Sequence, residues 1–469
     1  MSLRCQSGKI VAFALVVIVV AIVVAAVTGL LINIFERKQE EKNPFLKVVQ
    51  VTEDTVDPAV WGANWPREFD GYKKTATPTR TKYGGGSASE GALPPQKALR
   101  NPWLERMFAG YAFAIDYRDR RGHAFMMQDQ QATRRVTERP QAGACLHCHA
   151  SIMPLYRKLG KELVPDATPA QQVQKGFEAT SQMTYQDATA KLKQIGANHP
   201  VSCVDCHDPR TMELRVTRPG FLNGIKALKA SQGVKDFQPN RDASRQEMRS
   251  YVCAQCHVTY YCGPKETLLF PWANGIKVEQ IQEFFENHKF PDGTAFYDWA
   301  HAQTGAHVFK AKHPEFEVWS QGIHARSGVA CADCHMPYKR EGAMKVSEHW
   351  VRSPLLSINR SCQVCHPYPE AELQARVETI QDRHYALLDR AGHALVDMID
   401  TINAAKAAGA SEEQLKPILD RQRSAQWRLD FVAAENSMGF HAPQELARIL
   451  GESIDLARQA QLAAQKLTK

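Results

Sequence analysis

The 469 residues carry 58 Lys and Arg against 50 Asp and Glu, a formal charge of +8 that gives no support to a nucleic-acid-binding role. Ten of the 12 cysteines fall in one recurring motif, which excludes a disulfide scaffold and leaves only Cys5 and Cys262 outside it.

Ile10 to Ile34 is a nearly uninterrupted apolar run, preceded by Arg4 and Lys9 and followed by the polar stretch Glu36 to Lys42. A secretory apolar region is about 7–15 residues long, whereas this run is long enough to cross a bilayer as a helix. The cations ahead of it keep the short N-terminus, with Cys5, on the cytoplasmic side. Residues 1–35 read as an uncleaved signal-anchor, with a long cleaved signal as the alternative. Either way the bulk of the chain is exported to the periplasmic side of the membrane. Residues 36–100 are loop-rich, with several prolines and the run Gly84–Ser87, and read as an irregular wrap over the surface.

The motif then appears five times: Cys145-Leu-His-Cys148-His149, Cys203-Val-Asp-Cys206-His207, Cys253-Ala-Gln-Cys256-His257, Cys331-Ala-Asp-Cys334-His335 and Cys362-Gln-Val-Cys365-His366. About 0.01 copies are expected by chance at this composition. Two thiols and an adjacent imidazole are what covalent attachment of a c-type haem needs: two thioethers to the porphyrin and one axial nitrogen to the iron. A zinc ribbon would pair Cys-x-x-Cys units without the trailing histidine. The first cysteines are 58, 50, 78 and 31 residues apart, too uneven for a tandem repeat of one module. Residues 36–368 therefore read as a single domain around five haems. Each ferric haem adds about −1, so the loaded protein is near +3 oxidised and near −2 reduced.

After Pro369 the pattern changes to a helical period. Leu373, Val377, Ile380, Leu387, Ala391, Leu395, Met398 and Ile402 mark one face of a long helix closed by Ala407-Ala408-Gly409. Ser411 with Gln414 forms a capping box for a second helix, and a third follows Pro443. Residues 369–469 are expected to pack on the haem domain and to contribute to a homodimer interface. The fold class is mainly α, a multihaem cytochrome c with an irregular haem-packing core.

Beyond the motifs, the runs Cys253 to Tyr261, Phe309 to Trp319 and Arg121 to His123 closely resemble the ammonia-forming pentahaem cytochrome c nitrite reductases. The resemblance covers roughly residues 45–445. It implies an open catalytic haem on the first motif, with Arg135, Tyr260 and His313 lining its distal face. Arg134 and Tyr261 are the alternatives one position away. It further implies bis-histidine haems, with His349 facing His207, His123 facing His257, His441 facing His335 and His324 facing His366. Among the other histidines, His199, His288, His384 and His393 read as surface residues, and His147, inside the first motif, receives no role.

Two positions depart from that family. Its usual catalytic motif ends in Lys, where this chain has His149, a change that shifts the iron's potential without excluding the reaction. The family also holds a calcium ion beside the pocket through a Glu, a Gln and two backbone carbonyls, one from the catalytic Tyr and one from a nearby Lys. Here the Glu position is Thr259 and the Gln position is Lys312, while Lys310 is kept. Calcium needs six to eight oxygens, so it is expected to be absent, with the Lys312 ammonium in its place, bonded to the same carbonyls and preserving the local positive charge. Cys262 reads as a small packed thiol.

The resemblance implies six-electron reduction of nitrite to ammonium, with His313 as a proton relay whose pKa lies near the working range. Electrons would come from the quinol pool through a membrane-bound cytochrome. The competing readings are an electron-transfer protein with no substrate and a reductase acting mainly on hydroxylamine or sulfite.

Overall fold

The computed structural model describes residues 3–42, 47–85 and 93–468. Its first helix, Leu3–Lys42, is longer than the apolar run that defines it, because the polar flanks on both sides also favour a helix. Within it Lys9–Lys38 contains an 18-residue stretch with a mean hydropathy of 3.5 that buries nothing against the rest of the chain. Thirty residues at helical rise give about 45 Å, enough to cross a bilayer. The side chain of Cys5, and Gly86 and Ser87 of the glycine run, lie outside the described residues.

The expected wrap contains two short helices, Pro58–Gly62 and Pro66–Lys73, each opened by a proline whose fixed φ suits a first turn. Asp57 caps the first by accepting the Ala59 N–H. The segment is fastened to the body near the second motif: Lys47 Nζ donates to the Arg210 carbonyl at 2.7 Å and the Tyr72 hydroxyl to the Val201 carbonyl at 2.8 Å.

Among the described residues the strands form two small antiparallel pairs, Trp299–Ala300 with His307–Val308 and Tyr338–Glu341 with Met344–Ser347. Helices carry the rest. Glu370–Ala407, Glu412–Ala434 and Pro443–Gln465 follow the sequence pattern closely, and the Ser411–Gln414 capping box is present. Their apolar faces join a core with Trp103, Phe285, Phe296 and Phe309 from the haem region. A Cβ on Gly392 would sit 2.3 Å from the Trp103 ring, so the long helix needs glycine at that crossing. The apolar stripe is thus used within the chain, and a homodimer would have to use the exposed sides of these helices. A second core, built on Leu146, Tyr156, Phe177, Phe221 and Trp272, surrounds the first three motifs.

Candidate active site and haem cradle

A winding cavity of about 1510 Å³ is lined by every cysteine and histidine of the five motifs. The second and fourth motifs sit on short turns of helix, Cys203–Cys206 and Cys331–His335, whose third position is structural. Asp205 accepts the Ser202 N–H at 2.8 Å and Asp333 the Ala330 N–H at 2.7 Å, closing each turn from its N-terminus. These aspartates are then clamped from outside. Arg218, 1% exposed, pairs with Asp205 at 2.8 Å and donates to the carbonyls of His147 and Ala150, so one guanidinium ties the first two motifs together. Arg249 pairs with Asp333 at 2.6 Å in the same manner. His147 occupies the equivalent position in the first motif, so it has a structural part: it is fully buried and its Nδ1 lies 2.9 Å from the Tyr156 hydroxyl.

The motifs adjoin one another. The Cys148 thiol touches Cys256, and Cys253 touches Cys331, linking the first, third and fourth motifs in series.

Four imidazole pairs face each other across the cavity. Ring centroids are 6.2 Å apart for His207 and His349, 6.4 Å for His123 and His257, 6.4 Å for His335 and His441, and 6.2 Å for His324 and His366. Two imidazoles on opposite sides of one metal, with metal–nitrogen bonds of about 2 Å each, require a separation of about 6 Å. Backbone carbonyls lie within hydrogen-bond range of Nδ1 in His149, His207, His335 and His349, which fixes their rings and turns Nε2 to the cavity. In the Arg-Gly-His segment that carries His123, a Cβ on Gly122 would fall 1.9 Å from the Thr75 carbonyl oxygen, so only glycine lets this backbone approach so closely. Five thiol pairs and four facing imidazole pairs on one cavity fit five c-type haems.

His149 has no facing imidazole of this kind among the described residues. Arg135, Tyr260 and His313 line the same cavity. Arg135 Nη1 donates to the Asp116 carbonyl at 3.3 Å, and its guanidinium lies over the Phe113 ring at 4.6 Å. Arg134 points outward to Glu138 instead. Tyr261 packs among Phe290 and Phe296 in the core, whereas Tyr260 faces the cavity. Burial holds the Tyr260 phenol well above its ordinary pKa, so its hydroxyl stays protonated and can donate a hydrogen bond. Burial, then the positive charge of Arg120 and nearby imidazoles, pulls His313 well below the ordinary histidine range. The expectation of a pKa near neutrality is therefore corrected: His313 rests as a neutral ring.

Beside this group Thr259 is fully buried and its hydroxyl accepts the Lys312 backbone N–H at 3.3 Å. Lys312 Nζ pairs with Asp298 at 3.0 Å and lies 3.5 Å from the Lys310 carbonyl. The partner Asp298 was not foreseen, and no sequence signal marks it. Its carboxylate offsets the ammonium, so the preserved positive charge expected from the sequence becomes a neutral pair. Burial opposes the charge on Lys312, but Asp298 outweighs it and keeps the amine protonated. Lys310 turns its amine the other way, onto Asp430 at 2.7 Å, and burial pulls it down to about 8.

Cys262 is packed against Cys145. Of the four histidines read as surface residues, His384 is corrected: it is 7% exposed, inside the long helix Glu370–Ala407 and under Gly439 of the loop between Glu412–Ala434 and Pro443–Gln465. His393 is exposed, while His199 and His288 are half-buried.

The cytochrome c552 family matches residues 57–469. The chain belongs to that family. It is 37% identical over 414 residues to the cytochrome c-552 of Parabacteroides distasonis, covering 86% of this chain and 76% of that one. It is 36% identical over 459 residues to the cytochrome c-552 of Bacteroides fragilis, covering 95% and 85%. Among solved structures it is similar to the cytochrome c nitrite reductase of Desulfovibrio desulfuricans ATCC 27774, whose catalytic subunit has two calcium sites. There the TM-score is 0.75 at 29% identity, covering 89% of this chain and 88% of the other.

Proposed function

We propose that this family member is an oxidoreductase that reduces nitrite to ammonium at an open haem on its first motif, fed by four bis-histidine haems. The observation that carries this reading is the asymmetry of the cavity: four motif histidines each face a second imidazole, while His149 shares its part of the cavity with Arg135, Tyr260 and His313. The reaction consumes nitrite, eight protons and six electrons, and yields ammonium and two waters.

Cys145, Cys148 and His149 would hold the haem at the first motif, which when bound would supply the Lewis-acid and electron-transfer chemistry. The chain supplies the remainder. Arg135 presents guanidinium N–H donors to the nitrite oxygens, holding the anion in place. Tyr260 donates its phenolic hydrogen. His313, neutral at rest, takes a proton on one ring nitrogen and releases one from the other, a relay that needs no standing positive charge. The serial contact of the first, third and fourth motifs supports an electron path in that order.

Lys312 is proposed to stand where relatives hold calcium, tied to Asp298 and near the Lys310 carbonyl. An ammonium at that point is a poor neighbour for a divalent cation. The apolar helix Lys9–Lys38 supports anchoring at the periplasmic face of the membrane, within reach of a quinol-oxidising cytochrome as donor.

The test is ammonium formation from nitrite by the haem-loaded protein under a low-potential reductant. Near-stoichiometric ammonium is expected. His313→Ala should lower turnover by about 10²–10⁴ with all five haems attached, and Arg134→Ala should leave it unchanged. No turnover by fully loaded wild type would overturn the reading in favour of electron transfer or another substrate.

A further inference from the structure

Charged side chains crowd the segment that leads from Lys97 to Arg135, and most of them cancel. Arg100 forms a two-pronged pair with Asp119 at 3.1 and 3.2 Å, Arg118 pairs with Asp116 at 2.8 Å, and Arg121 pairs with Asp129 at 2.7 Å. Two cations besides Arg135 lack such a partner.

Lys97 is 7% exposed, its amine lies over the Tyr117 ring at 4.3 Å, and among the described residues no carboxylate pairs with it. Arg120 has a buried Nη2 with no hydrogen-bond partner. Both line the haem cavity. Their charges reach each other and also reach His313, so the two lie on the side of the cavity where the distal group sits. Burial and then Arg120 pull Lys97 down to about 8, and the opposing influence of Tyr117 and of Asp119, which is itself paired with Arg100, does not offset them. Arg120 also acts on Glu315, a carboxyl that burial pushes up to about 7 against the pull of Arg120 and that accepts a hydrogen bond from Asn436.

Buried cations are kept in folded proteins where something anionic meets them. Lys97 approaches from the turn Lys97–Leu99, whose backbone N–H bonds the Tyr117 carbonyl, and Arg120 follows three residues after that tyrosine. The two segments therefore run side by side and deliver both cations to one place.

We propose that Lys97 and Arg120 together form a subsite for an oxyanion at the edge of the distal pocket, separate from Arg135. The chemistry they select is a carboxylate or a small planar oxyanion with oxygens able to take N–H donors from both side chains. Two sources supply it: a haem propionate, or free nitrite held before it reaches Arg135. This inference rests on the reading of the His313 face as the reacting face.

The test uses the full-length haem-loaded protein and the double variant Lys97→Gln/Arg120→Gln, which keeps polar side chains and removes both charges. Nitrite affinity is read by absorbance titration of the oxidised protein, and haem midpoint potentials by spectroelectrochemistry. If the subsite holds free nitrite, its Kd rises at least tenfold while the potentials stay fixed. If it holds a propionate, one haem becomes harder to reduce by a tenfold change in its one-electron equilibrium while the nitrite Kd stays fixed. In either case Lys97→Arg/Arg120→Lys restores the wild-type value. Both readouts within twofold of wild type would overturn the proposal. Should the double variant load haem poorly, Lys97→Gln alone is read by the same two measurements. Wild type that turns over no nitrite, with variants that still shift a potential, would remove the proposed function and keep the subsite.

Discussion

Nδ1 of His441 lies 2.7 Å from a carboxylate oxygen of Glu435, a side chain with no exposure. The corresponding nitrogens of His149, His207, His335 and His349 lie against neutral backbone carbonyls. A carboxylate at this position makes the imidazole a stronger donor to a metal and favours the oxidised state. In the proposed assignment that metal is the iron of the fourth motif. Glu435→Gln is expected to raise the midpoint potential of that one haem by about 60 mV, a tenfold change in its equilibrium, leaving the other four in place. Spectroelectrochemical titration checks it, and an unchanged set of potentials would refute it.

The Arg218 clamp makes a stability prediction. Arg218→Met removes a buried cation that serves Asp205 and two carbonyls of the first motif region. Stranding Asp205 should cost about 3–5 kcal/mol, measured as a fall in the urea midpoint of the haem-loaded protein. Adding Asp205→Asn should recover part of the loss, because the two residues act as a unit. Additive losses would show that they do not.

For calcium, the expected outcome is insensitivity. Treatment with a chelator should leave nitrite turnover within twofold, since the Lys312 ammonium cannot be extracted. Lys312→Gln should lower turnover about tenfold or more, and added calcium should help only when Thr259→Glu is also present. Inhibition of wild type by chelation, reversed by calcium, would defeat the assignment.

Acid should loosen the approach to the third motif. Glu247 accepts the Ser244 N–H at the start of helix Arg245–Ala254 and pairs with Lys229 at 2.8 Å. Burial works against its charge, but Lys229 and Ser244 outweigh it and hold the carboxyl at about 2. A folded-state pKa below the ordinary 4.5 means stability that is complete above pH 4.5 and lost as pH falls toward 2. Allowing for its partial exposure, the contribution is about 1 kcal/mol. Glu247→Gln should flatten that part of the stability–pH curve, measured by denaturation at pH 2.5, 4 and 6.

Much of the cradle was legible because covalent attachment forces a contiguous signature: five motifs, and three long helices announced by period and caps. Arg135 and Tyr260, expected at the cavity, do line it, whereas their neighbours Arg134 and Tyr261 have somewhere else to go. Arg134 has Glu138, and Tyr261 has a phenylalanine cluster. What stayed hidden depends on partners distant in sequence. Asp298 sits 14 residues from Lys312 and Arg218 lies 71 residues from the carbonyl of His147, and neither spacing follows a helix or strand period. The His313 pKa is displaced for the same reason: its burial, and then Arg120 far away along the chain, set it. The repeated Asp in Cys-x-Asp-Cys-His of the second and fourth motifs was the one visible hint of the arginine clamps.

The fastening of Lys47 to the Arg210 carbonyl gives the N-terminal apolar helix a short leash. From Lys42, where the helix ends, to Lys47 is five residues, which reach no farther than about 17 Å even when fully drawn out. With the helix in a bilayer, the protein cannot tumble freely above the surface: the flank carrying Arg210 stays turned toward the lipid headgroups. That flank follows directly on Cys203, Cys206 and His207. A donor diffusing in the plane of the membrane would therefore meet the molecule repeatedly in one orientation, so that encounter becomes a two-dimensional search.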